Sequence, residues 1–149
     1  MKKYYRTRRI ILIGASFIFC ASTALSSDLK DVIKLVNRAC VCLSAGKLDK
    51  SILTCDQAIK IDPRCAAAYY TRGFAFRYKG QFDRAILDFR QAIAIDPKYA
   101  GAYYALAKCY YDKNEFDESW ENLHKAENLG HKAEPEFIKN LRKCSGRNK

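Results

Sequence analysis

Seven cysteines, two histidines and a set of regularly spaced acids are the side chains best equipped for chemistry in this sequence. Their arrangement speaks against catalysis. Cys40 and Cys42 lie two residues apart, about 200° around a helix, so they point to opposite faces and cannot share a metal ion. No Cys-x-x-Cys redox motif occurs. His124 and His131, the only histidines, stand in no zinc-ligand pattern. Asp49, Asp83 and Asp117 recur every 34 residues at the starts of expected helices, where the helix dipole favours a negative charge. Their role is therefore structural. With no phosphate-cradling Gly-rich loop, nucleophile elbow or zincin motif, the expectation is a non-enzyme with no cofactor and no metal.

The elements that position these residues follow from an internal repeat. A step of 34 residues carries Tyr69 to Tyr103, Tyr70 to Tyr104, Phe82 to Phe116 and Ala92 to Ala126. The same step backwards carries Gly80 to Gly46 and Ile95-Asp96-Pro97 to Ile61-Asp62-Pro63. Each unit reads as two amphipathic helices. In the middle unit Tyr69, Gly73 and Phe76 share one face, and Phe82, Ala85, Ile86, Phe89, Ala92 and Ile93 share another. Lys79-Gly80-Gln81 separates the two, with the Gly suited to a left-handed cap. Asp96-Pro97 ends the second helix, because Pro cannot continue it. The units cover 32–65, 66–99 and 100–133, and small residues at Gly73 and Ala92 let paired helices approach closely. Beyond Gly130 a last helix is expected to open at Glu134-Pro135, with Phe137, Leu141 and Cys144 on one face. It would close the apolar end of the array over 134–149.

Hydrophobic residues make up 49% of the 149 and charged residues 29%, enough to build a core. The net charge is +11 with a pI near 9.4, but its placement is uneven. Of the 27 cations, Lys2, Lys3, Arg6, Arg8 and Arg9 all precede the first acid, Asp28; without these five, 22 cations face 16 acids, a net +6. This basic start, the apolar run Ile10–Phe19 and the small residues Ala21–Ala24 read as a secretory signal over 1–24, cut after Ala24 or, second, after Ser26. Residues 25–31 then form a linker or the start of the first helix. The expected location is the periplasm or another exported space, and export removes nucleic acid as a partner. The alternative is an uncleaved leader anchoring the chain to the inner membrane, the one case in which a membrane becomes a partner. The segment Ile10–Leu25 is shorter than the ~20 apolar residues a spanning helix needs.

The pattern Tyr69-x-x-Arg72-Gly73-x-x-Phe76, Ala85-x-x-x-Phe89, Ala92 and Pro97 resembles the tetratricopeptide repeat. Tyr69 stands where that family usually has Trp, and Arg72 where it usually has Leu. The outer units match through the shared period. The resemblance implies an all-α solenoid of three helix-turn-helix repeats plus a C-terminal capping helix. It implies a scaffold that holds a protein or peptide along a concave surface lined by the first helix of each pair. Carried over residue by residue, the groove would comprise Tyr70, Phe74, Arg77 and Tyr78, then Tyr104, Lys108 and Tyr111, bordered by Lys98, Tyr99 and Arg142. Aromatic and Arg side chains suit such an interface. The interspersed cations would suit an acidic segment or a free C-terminal carboxylate. Tyr69, Phe76, Tyr103 and Tyr110 are expected in the core. The carboxylate clamp of chaperone-binding members is missing, since the corresponding positions hold Val36, Cys40, Thr71, Gly101 and Ala105.

Repeat geometry also suggests three disulfides for an exported chain with six cysteines beyond the leader. Cys42 and Cys55 would face one core, Cys40 and Cys65 would both approach the concave side, and Cys109 and Cys144 would lie on neighbouring first helices. Two other readings compete: a structural part of an envelope or secretion assembly acting through its convex face or ends, and a thiol redox protein.

Overall fold

The 34-residue period becomes a train of paired helices. The computed structural model describes residues 16–146, and among these it places seven helices and no strand. They are α1 (Ser16–Ser44), α2 (Leu48–Ile61), α3 (Ala66–Tyr78), α4 (Phe82–Ile95), α5 (Ala100–Asp112), α6 (Phe116–Asn128) and α7 (Pro135–Ser145). Within each unit α1 packs on α2, α3 on α4, and α5 on α6. Successive units meet through α2–α3 and α4–α5, and α7 closes on α6. Contacts of α1 with α3 and of α3 with α5 set the first helices side by side. The fold is the all-α solenoid expected from the sequence. Residues 25–31 are helical and run without a break into the first unit. The leader's basic start and its apolar run through Ala15 lie outside the described residues. Among the described residues no helix is long and apolar enough to cross a membrane.

Local backbone chemistry explains the period. The first helices end in left-handed residues at one 34-residue step, Gly46 (φ 70°), Gly80 (φ 72°) and Asn114 (φ 63°). In the middle unit the N–H of Gly80 donates to the Arg77 carbonyl and that of Gln81 to the Phe76 carbonyl, both at 2.9 Å. These two bonds satisfy carbonyls that a helix end would otherwise leave bare. The second helices of the first two units stop at Asp62 and Asp96, whose carboxylates accept the N–H of Arg64 and Lys98 at 2.9 and 3.0 Å. Pro135 occupies the first turn of α7, as its fixed φ favours.

Inside a pair, side-chain volume is matched across the crossing. A Cβ at Gly73 would stand 2.7 Å from the Phe89 ring, so only glycine admits that ring. The equivalent positions carry Ala39 with Cys55 and Ala107 with Leu123, all fully buried. A bigger partner in the middle unit is thus accommodated by a missing methyl. In the outer units a hydroxyl adds to this packing: Ser51 and Ser119 donate to the carbonyls of Ala39 and Ala107 at 2.9 and 2.8 Å.

Arg72, the departure from the usual Leu, has a clear structural reason. Its Nε and Nη2 donate to the two oxygens of Asp88 on α4 at 2.8 and 2.7 Å, and its Nη1 donates to Asp56 on α2. One guanidinium thereby ties together two helices of its own unit and the second helix of the unit before. Asp88 is nearly buried, and this fork–fork pairing supplies the partner it needs there. A second tie repeats at the 34-residue step. Lys79 pairs with Asp49, and Lys113 pairs with Asp83 at 2.8 Å, each reaching from the turn after a first helix back to the preceding unit's second helix.

The uncovered edge of the array is polar. Where the inner units bury Ala68 and Thr71, and then Ala102 and Ala105, the first unit presents Lys34 and Asn37 to solvent. Terminal repeats need such an edge to stay soluble. The expected core holds for Phe76 and Tyr110, whereas Tyr69 and Tyr103 are only half-buried.

Candidate functional site

A four-residue spacing on α3 stacks Tyr70, Phe74 and Tyr78 along one stripe. The Tyr70 and Phe74 rings meet edge to face with centroids 4.9 Å apart, and Phe74 and Tyr78 lie 6.2 Å apart. Tyr99, in the turn after α4, lies 4.7 Å from Tyr70. Phe89 supports the stripe from behind, 5.8 Å from Tyr70 and 5.3 Å from Phe74. Exposure rises along it: Tyr70 and Phe74 are half-buried and Tyr78 is 60% exposed. Burial pushes the Tyr99 phenol up to about 12 and raises Tyr70 as well, so both are neutral hydroxyl groups near neutral pH. The Tyr70 hydroxyl sits over Gly101, where an added Cβ would come within 3.1 Å of it. On the α1 side the Cys40 thiol meets the Thr71 hydroxyl at 3.6 Å. These residues form a continuous aromatic surface that can bury apolar groups and offer phenolic hydroxyls.

In the third unit Tyr104 is covered, which corrects the sequence expectation for that residue, while Lys108 and Tyr111 are half-buried. Tyr104 is only 8% exposed: His131 stacks on it at 4.3 Å, Phe137 meets it at 5.5 Å, and the N–H of Glu134 donates to its hydroxyl oxygen at 3.3 Å. It is a packing residue under α7. Tyr111 is wedged between Phe116 and Phe137, at 5.9 and 5.6 Å. Lys108 lies 4.7 Å above the Tyr104 ring and donates to Glu134 at 2.9 Å, which holds the Glu134 carboxyl below its ordinary range. Arg77, expected as a free anchor, donates to Asp112 at 2.7 Å. Lys98 and Arg142 are exposed. The residues that sequence reasoning missed are therefore Asp112 and Glu134, the acids that engage Arg77 and Lys108. Neither lies a 34-residue step from its partner, so the repeat carried no sign of them.

The six described cysteines from Cys40 onward are free thiols, and none of the three pairings suggested by repeat geometry is formed in this structure. Cys40 instead contacts Thr71, and Cys144, exposed on α7 and not on its core face, contacts the Tyr111 hydroxyl at 3.6 Å. Cys42 and Cys55 do occupy the expected core slots. Burial pushes the Cys55 and Cys109 thiols up to about 12, so both are held as neutral thiols. No group of three or more His, Cys, Asp or Glu side chains among the described residues could hold a metal ion.

Comparison with known proteins agrees with this geometry. The family described as "TPR repeat" matches residues 73–114, and that described as "Tetratricopeptide repeat" matches 35–65. No curated protein matches the sequence. Among solved structures the Arabidopsis OM64 TPR domain is 22% identical, covers 78% of this chain and 98% of its own, and superposes with a TM-score of 0.73. The first TPR of Spaghetti (RPAP3), bound to the HSP90 peptide SRMEEVD, is 20% identical with 78% and 92% coverage and a TM-score of 0.71. The Yersinia enterocolitica type III secretion chaperone SycD, in complex with a peptide of the translocator YopD, is 21% identical with 78% and 88% coverage and a TM-score of 0.65. Sequence period, helix pairing and these superpositions agree on an all-α solenoid with the fold of tetratricopeptide-repeat domains.

Proposed function

We propose that the protein is an exported scaffold that holds a segment of a partner protein against the face lined by its first helices. The observation that carries this reading is the open aromatic stripe Tyr70–Phe74–Tyr78 with Tyr99 beside it. Rigid aromatic rings bury a large area at small entropic cost, which is what binding hot spots use. Two structurally similar proteins are each described in complex with a peptide, which supports a protein or peptide ligand here. Export rests on the sequence of the leader, and the reading involves no enzymatic step. The test is crosslinking in the native envelope with the full chain beside a Tyr70→Ala/Phe74→Ala/Tyr78→Ala variant. A partner lost only with the variant supports the groove. A partner retained by both moves the function elsewhere.

A second reading has its own observation. Leu53 on α2 and Leu87 on α4 occupy equivalent positions one 34-residue step apart and are 63% and 66% exposed. A structural role in an envelope or secretion assembly would use this outer face. Leu53→Glu/Leu87→Glu would then abolish association while the groove variant would not.

A further inference from the structure

Taking the groove as the binding site, we infer that its occupant is an uncharged segment with apolar or aromatic side chains, and not an acidic tail or a free C-terminal carboxylate. The two cations within the groove, Arg77 and Lys108, are already satisfied from within, while Lys98 and Arg142 stand exposed at its border. Arg77 donates to Asp112 and Lys108 donates to Glu134, with the two basic side chains 19% and 22% exposed. An acidic ligand would have to displace carboxylates that the fold holds in place at high effective concentration. Displacing Asp112 would also leave a partly buried carboxylate (24% exposed) without its partner, which is unfavourable.

The residues of α1 and α3 that share the stripe's face, Ile33, Val36 and Cys40 with Tyr70, Phe74 and Tyr78, carry no charge, whereas the exposed Lys34 and Arg38 fall on another face of α1. Ile33 is 52% exposed and lies on the same helical face as Cys40, two turns earlier. Cys40 and Tyr78 are exposed; Val36, Tyr70, Phe74 and Tyr99 are half-buried. Such a surface gains by covering apolar area, a contribution that salt does not screen. The phenolic hydroxyls of Tyr70, Tyr78 and Tyr99 can donate to backbone carbonyls of the bound segment, fixing its orientation without selecting charge.

The experiment is selection of short random peptides on the immobilised full chain, from one library displayed internally and one with free C-termini, at about 50 mM and about 500 mM NaCl. The expected winners are neutral and rich in Leu, Ile, Phe or Tyr, come from both libraries, and survive high salt. Their recovery should fall about tenfold or more on Phe74→Ala/Tyr78→Ala, a variant whose helicity is checked by circular dichroism. Asp112→Asn/Glu134→Gln frees both cations and should shift the winners toward Asp and Glu with a steep salt dependence. If the unaltered chain itself selects acidic or free-carboxylate peptides that the Ala variant loses, the inference on ligand chemistry falls and the groove reading stands. If winners are retained by the Ala variant, or no peptide is enriched on either protein, the groove reading falls and this inference with it.

Discussion

The second and third units share a fold and a period, yet the same face of their first helices is open in one and overlaid by α7 in the other. On α3 the stripe Tyr70, Phe74, Tyr78 stands open, while on α5 Tyr104 and Lys108, the counterparts of Tyr70 and Phe74, lie with Tyr111 against α7 and the turn before it. The difference teaches that position within a repeat fixes direction only. Whether a side chain binds or packs is decided by the neighbouring helix on its C-terminal side. In the middle unit that neighbour is α5 with Gly101, which yields space to Tyr70; at the end it is α7 with Phe137, which takes that space.

The sharpest way to break the comparison is Phe89→Ala. It removes a fully buried ring that supports both Tyr70 and Phe74, and should cost about 3–5 kcal/mol in denaturant unfolding along with groove binding. Arg72→Leu restores the residue usual in the family but leaves Asp88 buried without a cation, and should cost about 3 kcal/mol. Adding Asp88→Asn should recover part of that loss, because it is the stranded charge that destabilises. Leu141→Ala loosens α7 from the third unit and should cost about 2–3 kcal/mol, while making Tyr104 and Tyr111 more accessible to solvent. A larger tyrosine signal in solvent-perturbation spectroscopy would register that opening.

A smaller effect distinguishes buried from open thiols. Cys55 and Cys109 bind their protons more tightly folded, at about 12, than in the unfolded chain, near 9. Between those values the unfolded state holds fewer protons, so stability is full below about pH 9 and declines as pH rises beyond it. Urea titrations at pH 8 and above check the sign. In the same samples Cys40 and Cys144 should react with a mild thiol reagent before Cys55 and Cys109 do, and non-reducing peptide mapping would show whether Cys40 and Cys65 pair on oxidation. The smallest expected change in stability comes from Tyr78→Ala, about 0.5 kcal/mol or less, because its ring is exposed. It should nonetheless weaken partner binding severalfold, which separates binding from folding on α3.

Much of the solenoid was legible in the sequence because its signals are local and repeat: helical spacing, left-handed caps at Gly46 and Gly80, and stops at Pro63 and Pro97. Those features need no knowledge of distant contacts. The open stripe on α3 was legible for the same reason. The repeat sets Tyr104 at the position of Tyr70, in the groove, and only the docking of α7 reveals that it is covered. The partners of Arg77 and Lys108 were hidden because Asp112 and Glu134 fall 35 and 26 residues away, off the repeat. Arg72 was visible as a departure from the family pattern, but its reason lies in two acids on two other helices.

The chain contains a single tryptophan, and its position gives the molecule a natural optical reporter. Trp120 is nearly buried on α6, stacks beside His124 at 5.6 Å, and donates its indole N–H to Ser145 near the end of α7 at 3.1 Å. Detachment of that last helix would hydrate the indole and break its one bond across the junction, shifting its emission to the red. Intrinsic fluorescence of the unmodified protein therefore reports the fraying of one end of the solenoid and is silent about the groove.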